Sequence, residues 1–363
     1  MTTVFRIEML PALHGDSLWI EYGAPDELHR VLIDGGPVNT YKALAERLAL
    51  VPGNERFFEL IVLTHVDGDH VEGLVRMFAD KPLPFTVAKV MFNGWRQMER
   101  AHGLLGALQG EFLSALLVNR VPAAWNPDAA PWVVTKAGPL PAVDLPGGMK
   151  LTLLSPDAAK LDAMAKEWKK DIVTAGFKPG DLEAAWKALA ERKKFLPKQG
   201  LLGTTPDLDK LLQDQFKIDQ AKANGSSFAF LAEFEGRSAL LLGDAHPDVV
   251  AESIRRVLKD RGQQKLRVDA VKVAHHGSKN NTNDDLLALI DSPTYLISTN
   301  GAQFNHPDKV CIARILEVGK PKELVFNYRT EFTAPWLDPA SQQKFGYQAR
   351  VRTDSELTIP VTL

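Results

Sequence analysis

The chain has 363 residues, with 43 Lys and Arg set against 45 Asp and Glu for a formal net charge of −2. Near-neutral charge argues against a protein that coats long nucleic acid, because phosphate binding draws on clustered cations, although it leaves room for a local basic patch. No apolar run approaches the roughly 20 residues of a membrane-spanning helix, no charged-then-apolar leader with a small-residue cleavage site opens the chain, and the single cysteine, Cys311, forms no internal disulfide, so a cytoplasmic protein is expected.

Residues 4–10, 17–22 and 30–34 alternate apolar and polar and read as three successive strands. Gly15, Asp16 and Ser17 lie in the loop after the first strand, and Asp34-Gly35-Gly36 closes the third. A helix is expected over 41–50. The apolar run Leu60-Ile61-Val62 then leads into Leu63-Thr64-His65-Val66-Asp67-Gly68-Asp69-His70, two imidazoles and two carboxylates within six positions. A buried strand can present several side chains to one point at its C-terminal edge, and this mixture is what a divalent metal needs. A solvated turn has no need for residues whose shared property is metal ligation.

A helix over 71–78 and a strand over 87–92 are expected next. From 94 to 131 the pattern is helical, and Leu104, Leu105, Leu108, Phe112, Leu116 and Leu117 form a stripe read as core packing. A strand over 150–156 precedes a segment, 157–222, rich in Ala, Lys and Glu, with Trp168, Phe177, Trp186 and Phe195 set among Lys169, Lys170, Lys193 and Lys194. Basic residues interleaved with aromatics suit single-stranded nucleic acid. Solvated helices with Trp in the core give the same text, and that is the preferred reading, with the segment covering the site and selecting substrates.

The sheet resumes as a hairpin, 224–234 and 238–244 around a turn at 235–237, ending in the carboxylate Asp244. A helix over 247–259 and a strand over 268–274 lead to His275-His276-Gly277-Ser278. A strand over 294–298 precedes Asn305-His306-Pro307, and two closing strands flank a turn at 353–355.

Taken together, these motifs resemble the metallo-β-lactamase family. His65-x-Asp67-x-Asp69-His70 is similar to its His-x-His-x-Asp-His signature with Asp67 in place of the second histidine. The Gly-Asp-Ser loop, Asp34-Gly35-Gly36, Asn224-x-x-Ser227, Leu-Leu-x-Gly-Asp244, His-His-Gly-Ser and the histidine before Pro307 resemble the branch that includes the hydrolase domain of the DNA-uptake protein ComEC and its free-standing relatives. The resemblance covers both ends and about two thirds of the chain. It implies a four-layer αββα sandwich in a single domain over 1–363, with helical insertions at 94–131 and 157–222 and the last two strands forming a hairpin.

The resemblance further implies two divalent ions, Mn²⁺ or Zn²⁺, sharing an activated hydroxide. It implies metal ligands His65, Asp67, Asp69, His70, Asp244 and His275, with Asp69, Asp244, His276 and His306 in the chemistry. Asp16, Asp34, Asn224, Ser227 and Ser278 are implied as bracing or substrate-contacting residues. Where the wider family has a further histidine ligand this chain has Ala223 and Asn224, so one metal position is expected to be rich in oxygen. A phosphodiesterase or nuclease acting on DNA, RNA or a nucleotide-like ester follows. The alternatives are a lactone or carboxylic-ester hydrolase and a metal-binding partner subunit without turnover.

Overall fold

The computed structural model describes residues 3–102, 108–126, 128–174, 216–318 and 322–363, together with 178, 180–182 and 184–185. The first sheet is built from β1 (Val4–Met9), β2 (Leu18–Ala24), β3 (Glu27–Ile33), β4 (Phe57–Val62), β5 (Thr86–Met91) and β16 (Ile359–Thr362), in the order β16-β1-β2-β3-β4-β5. The second contains β6 (Ala142–Asp144), β7 (Lys150–Ser155), β8 (Ala229–Phe234), β9 (Arg237–Leu241), β11 (Ala270–Lys272), β13 (Thr294–Ile297), β14 (Glu323–Phe326) and β15 (Gln348–Val351). Its order is β15-β14-β13-β11-β9-β8-β7-β6. A short parallel pair, β10 (Leu266–Arg267) and β12 (Ile290–Asp291), stands apart.

The period-two alternation of each strand decides which core its side chains enter. Phe5, Ile7 and Met9 of β1 and Ile20 of β2 face Leu153, Phe230 and Leu241 across the space between the sheets. The intervening residues face outward. Trp19, Leu32 and Ile61 pack under α1 (Tyr41–Ala49), α2 (Gly68–Ala79), α3 (Trp95–His102), α4 (Leu108–Arg120) and α5 (Ala158–Thr174). On the far side, Leu231, Leu240, Val271 and Tyr295 pack against α7 (Pro247–Arg261), α8 (Asp284–Ala288) and α9 (Lys309–Glu317). The layers are therefore helix, sheet, sheet, helix, the αββα sandwich of the metallo-β-lactamase type.

The residues of 94–131 and 157–222 that are described belong partly to the outer helical layer. Phe112, Leu116 and Leu117 of α4 are buried, as are Leu161, Met164 and Trp168 of α5, and Trp168 stacks on Phe92 with ring centroids 6.4 Å apart. Lys169 and Lys170 are exposed. Trp168 thus packs in the core, while Phe177, Trp186, Lys193, Lys194 and Phe195 lie outside the described residues, as do Leu104 and Leu105.

Three local expectations are corrected. Residues 222–225 form a helical turn, α6 (Lys222–Gly225), and β8 begins only at Ala229, because Ser226 donates its backbone N–H back to Lys222 and Ser227 turns its hydroxyl to the backbone of Asp244. β11 covers three residues before the chain tightens at Ala274–Gly277. The two closing strands form no hairpin: β15 pairs in parallel with β14, whereas β16 pairs antiparallel with β1. The turn at 353–355 therefore carries the chain from one sheet to the other. The hairpin between β8 and β9 is as tight as expected, with Glu235 and Gly236 at φ of 48° and 76°, the left-handed pair that a two-residue turn demands.

Candidate metal centre

β3 runs parallel to β4, and β9, β11, β13 and β14 run parallel to one another. The carboxyl ends of these strands open on one crevice, the usual place for a site in a parallel sheet. His65, Asp67, Asp69 and His70 follow β4. Asp244 follows β9, and His275 and His276 follow β11. Asp16 enters from the β1–β2 loop. Its neighbour Gly15 must lack a side chain, since a Cβ there would lie 1.8 Å from the backbone oxygen of Asp69.

One atom gathers the set. Asp244 Oδ2 lies 3.5 Å from His70 Nε2, 3.5 Å from His276 Nε2, 3.8 Å from His275 Nε2 and 3.9 Å from His65 Nε2. Asp69 Oδ2 is 3.5 Å from His276 Nε2 and 4.0 Å from His70 Nε2, and Asp67 Oδ2 is 3.6 Å from His65 Nε2. Asp16, His70, Asp244 and His276 each offer a ligand atom within 4.8 Å of the others. His276 is thus the member of the pair beside Asp69 and His70. His275 approaches Asp244 with a fourth imidazole nitrogen, which offsets the nitrogen lost at Ala223 and Asn224 and leaves that position less oxygen-rich than the sequence suggests. Both histidines sit at positive φ, 44° and 54°, a strained conformation that the surrounding turn imposes and that points both rings inward.

The opposite ring nitrogens are held. His70 Nδ1 is 2.7 Å from Asp34 Oδ2, and Asp34 also accepts from the backbone N–H and hydroxyl of Thr64. His276 Nδ1 donates to the carbonyl of Ser298 at 2.9 Å. His65 Nδ1 has Thr64 Oγ1 at 3.1 Å and Ser227 Oγ at 3.5 Å. Fixing Nδ1 in this way frees Nε2 for a cation. Ser278 stands apart from the cluster, its hydroxyl accepting from the N–H of Asn280. His306 sits beside His275 with ring centroids 5.3 Å apart and Nδ1 3.5 Å from Asp308.

Several partners carry no local sequence signal. Asp219 Oδ2 lies 3.4 Å from His275 Nδ1, accepts from Asn224 Nδ2 at 2.7 Å and from Asn281 Nδ2 at 3.0 Å, and stands 3.8 Å from His246 Nε2. Asn281 Oδ1 is 2.9 Å from His275 Nδ1. Lys272, buried on β11, donates to Asp16 across the two sheets.

The electrostatics fit a cation. Burial penalises the imidazolium of His276, yet Asp244 and Asp16 outweigh it and push the group up to about 10. His70 is raised well above the usual range against burial by Asp244, Asp34 and Asp69. Burial alone would raise Asp16, but Lys272 and His276 bring it to about 2. Asp244 is held far below the carboxylate range against burial by His276, His70 and His275. Buried carboxylates at this density draw in positive charge, which protons supply where a metal does not. His65 Nε2 and Asp244 Oδ1 are buried with no hydrogen-bond partner, which is how atoms reserved for a metal look. The residues present fit a divalent ion.

A cavity of about 570 Å³ opens beside the cluster, lined by His14, Asp67, Asp69, Glu72, Asp219, Asp244, His275, Gln303 and Phe304 among others. No described helix is long and apolar enough to cross a membrane.

No family model matches the chain, and no curated protein matches it. Among solved structures it is similar to the metallo-β-lactamase fold protein YhfI from Bacillus subtilis, at 10% identity over 99% of this chain and 100% of that one, with a TM-score of 0.41. It is also similar to Zn²⁺-bound PqqB from Methylobacterium extorquens, at 12% identity over 96% and 87% of the two chains, with a TM-score of 0.38. A variant of the CmlA β-hydroxylase matches at 12% identity over 100% of this chain and 54% of that one, with a TM-score of 0.36. Likenesses this distant lend none of those proteins' ligands or reactions to the chain, and the chemistry of the site rests on its own residues.

Proposed function

We propose that the protein is a metal-dependent hydrolase that cleaves a phosphodiester. The observation that carries this is the convergence of four Nε2 atoms on Asp244 Oδ2 within 3.5 to 3.9 Å, with Asp67 and Asp69 at its flanks. Asp69, His70, His276 and Asp244 would hold one divalent ion, and His65, Asp67, His275 and Asp244 a second. Such ions supply acidified water and neutralise charge on both oxygens of an in-line displacement at phosphorus. Mn²⁺ and Zn²⁺ both suit sites with two imidazoles and carboxylate oxygen.

The chain's own groups do the rest. Asp34 and the Ser298 carbonyl fix the tautomers of His70 and His276, so that both present Nε2 toward Asp244. His306 is lowered by burial, with Asp308 partly opposing. A neutral imidazole has one N–H to donate to a phosphoryl or leaving oxygen. Hydrolysis puts the oxygen of water on phosphorus as the P–O bond breaks, and the leaving oxygen takes the proton.

The test strips metal with chelator and restores Mn²⁺, Zn²⁺ and Mg²⁺ in turn. Each preparation is assayed on an aryl phosphodiester, single- and double-stranded DNA, RNA and a lactone. Metal-restored cleavage of a phosphodiester is the expected result. Cleavage of the lactone alone would move the reaction to carboxylic esters, and silence on every substrate with metal bound would favour a non-catalytic subunit.

A further inference from the structure

Phe304 is 47% exposed and is among the few large apolar side chains left accessible in the described residues. It is exposed at the cavity that also holds Asp244, Asp67 and His275. Its ring lies 6.0 Å from that of His275, nearly perpendicular at 70°, and 5.9 Å from that of His306.

The loop beneath it is built to hold it there. Gly301 sits at φ 72°, where a Cβ would strike Phe332 at 2.2 Å, and Asn305 sits at φ 60°. Asn305 donates its N–H to Gly301, and Ala302 donates to Asn300 Oδ1. The exposed ring is therefore fixed beside the reacting end of the cavity. An apolar face kept in water regains free energy when a flat partner covers it.

Size and charge narrow that partner. The cavity has the volume of a small-molecule pocket. Beyond Asp67, Asp69 and Asp244, which would hold the metal, Glu72 and Asp219 also line it, and each repels the added phosphates of a polymer.

We infer that Phe304 is a specificity-determining platform for a flat uncharged group, an aryl ring or nucleobase, on a small phosphodiester rather than a polynucleotide. This rests on the phosphodiesterase reading and deepens it.

Two esters with one leaving group, phenyl p-nitrophenyl phosphate and methyl p-nitrophenyl phosphate, compare a ring with a methyl on the group that stays on phosphorus, the p-nitrophenyl ring being common to both. The metal-loaded protein should favour the phenyl ester about tenfold in kcat/KM, chiefly through KM, given what base stacking on an aromatic side chain contributes. Phe304→Ala should bring the ratio to within about twofold, and Phe304→Tyr should keep it. Calorimetric binding of phenyl phosphate against methyl phosphate supplies a readout without turnover. A binding preference that vanishes in Phe304→Ala while neither ester is cleaved overturns the reaction and leaves the platform standing. An equal preference in the parent and Phe304→Ala proteins, by either readout, overturns the platform, as does tighter binding of a DNA oligonucleotide than of phenyl phosphate.

Discussion

Asp219 meets His275 at the ring nitrogen opposite Asp244 and is itself held by Asn224, Asn281 and the N–H of Ala221. A carboxylate so placed fixes the imidazole's tautomer and raises its basicity, and removing such a partner costs roughly 10- to 100-fold in metal affinity. Asp219→Ala should therefore weaken one of two binding events in a metal titration by about that factor while the other is retained. Two unchanged events would assign Asp219 to packing alone. The residues gathered around Asp244 are legible as a cluster because each group follows directly on a strand: His65 to His70 after β4, Asp244 after β9, His275 and His276 after β11. Asp219 is not legible, since it stands in polar text with no motif and reaches His275 only once the second sheet has set the end of β11 beside the segment before β8. Asn281, six residues past His275, belongs to no motif, and Lys272 sits within an apolar strand and meets Asp16 only when the two sheets close. Ser278 shows the converse, for it belongs to a motif whose other members face Asp244, yet its hydroxyl caps the turn at Asn280.

At the scale of elements, α4 carries a charge the catalytic reading does not use. Glu111 is buried, accepts from the N–H of Gly180 at 2.9 Å, and leaves Oε2 without a partner. Burial pushes its carboxyl from an ordinary value of 4.5 up to about 7, with the Gly180 hydrogen bond opposing. The unfolded chain ionises this group at the lower pH and the folded chain at the higher, so between them the folded state holds the extra proton. Stability thus falls as pH rises through that window, by roughly 3 kcal/mol in all. Glu111→Gln should flatten that part of the stability curve and be more stable than the parent at pH 8 in urea titrations. An unaltered slope between pH 5 and pH 7 would mean that the carboxyl is solvated. Helical spacing made the apolar face of α4 readable from Phe112, Leu116 and Leu117, but periodicity does not say that a charged residue on the same helix is sealed by Gly180. Nor does alternation along the last two strands say which sheet each joins, because β15 pairs in parallel with the preceding strand β14 while β16 finds its partner β1 at the other end of the chain.

Across the whole molecule, the site fastens the two sheets together. His65, Asp69 and His70 come from the first sheet, Asp244, His275 and His276 from the second, and the buried Asp16–Lys272 pair crosses between them. A cation bound here exists only while the sandwich is closed, so its binding free energy adds to folding. A ligand specific to the native state contributes about 4 kcal/mol at a thousandfold excess over Kd, which for a chain of this size is a rise of roughly 5–10 °C in Tm. Calorimetry of the metal-loaded and chelator-treated protein should show that difference at one fixed pH, and restoring the ion should reverse it. The same measurement on Asp244→Asn should show little response to metal, since the oxygen at the centre of the four imidazoles then bears no charge. If the parent protein lost its metal by elemental analysis and kept its Tm, the cluster would be bound to one sheet rather than to both.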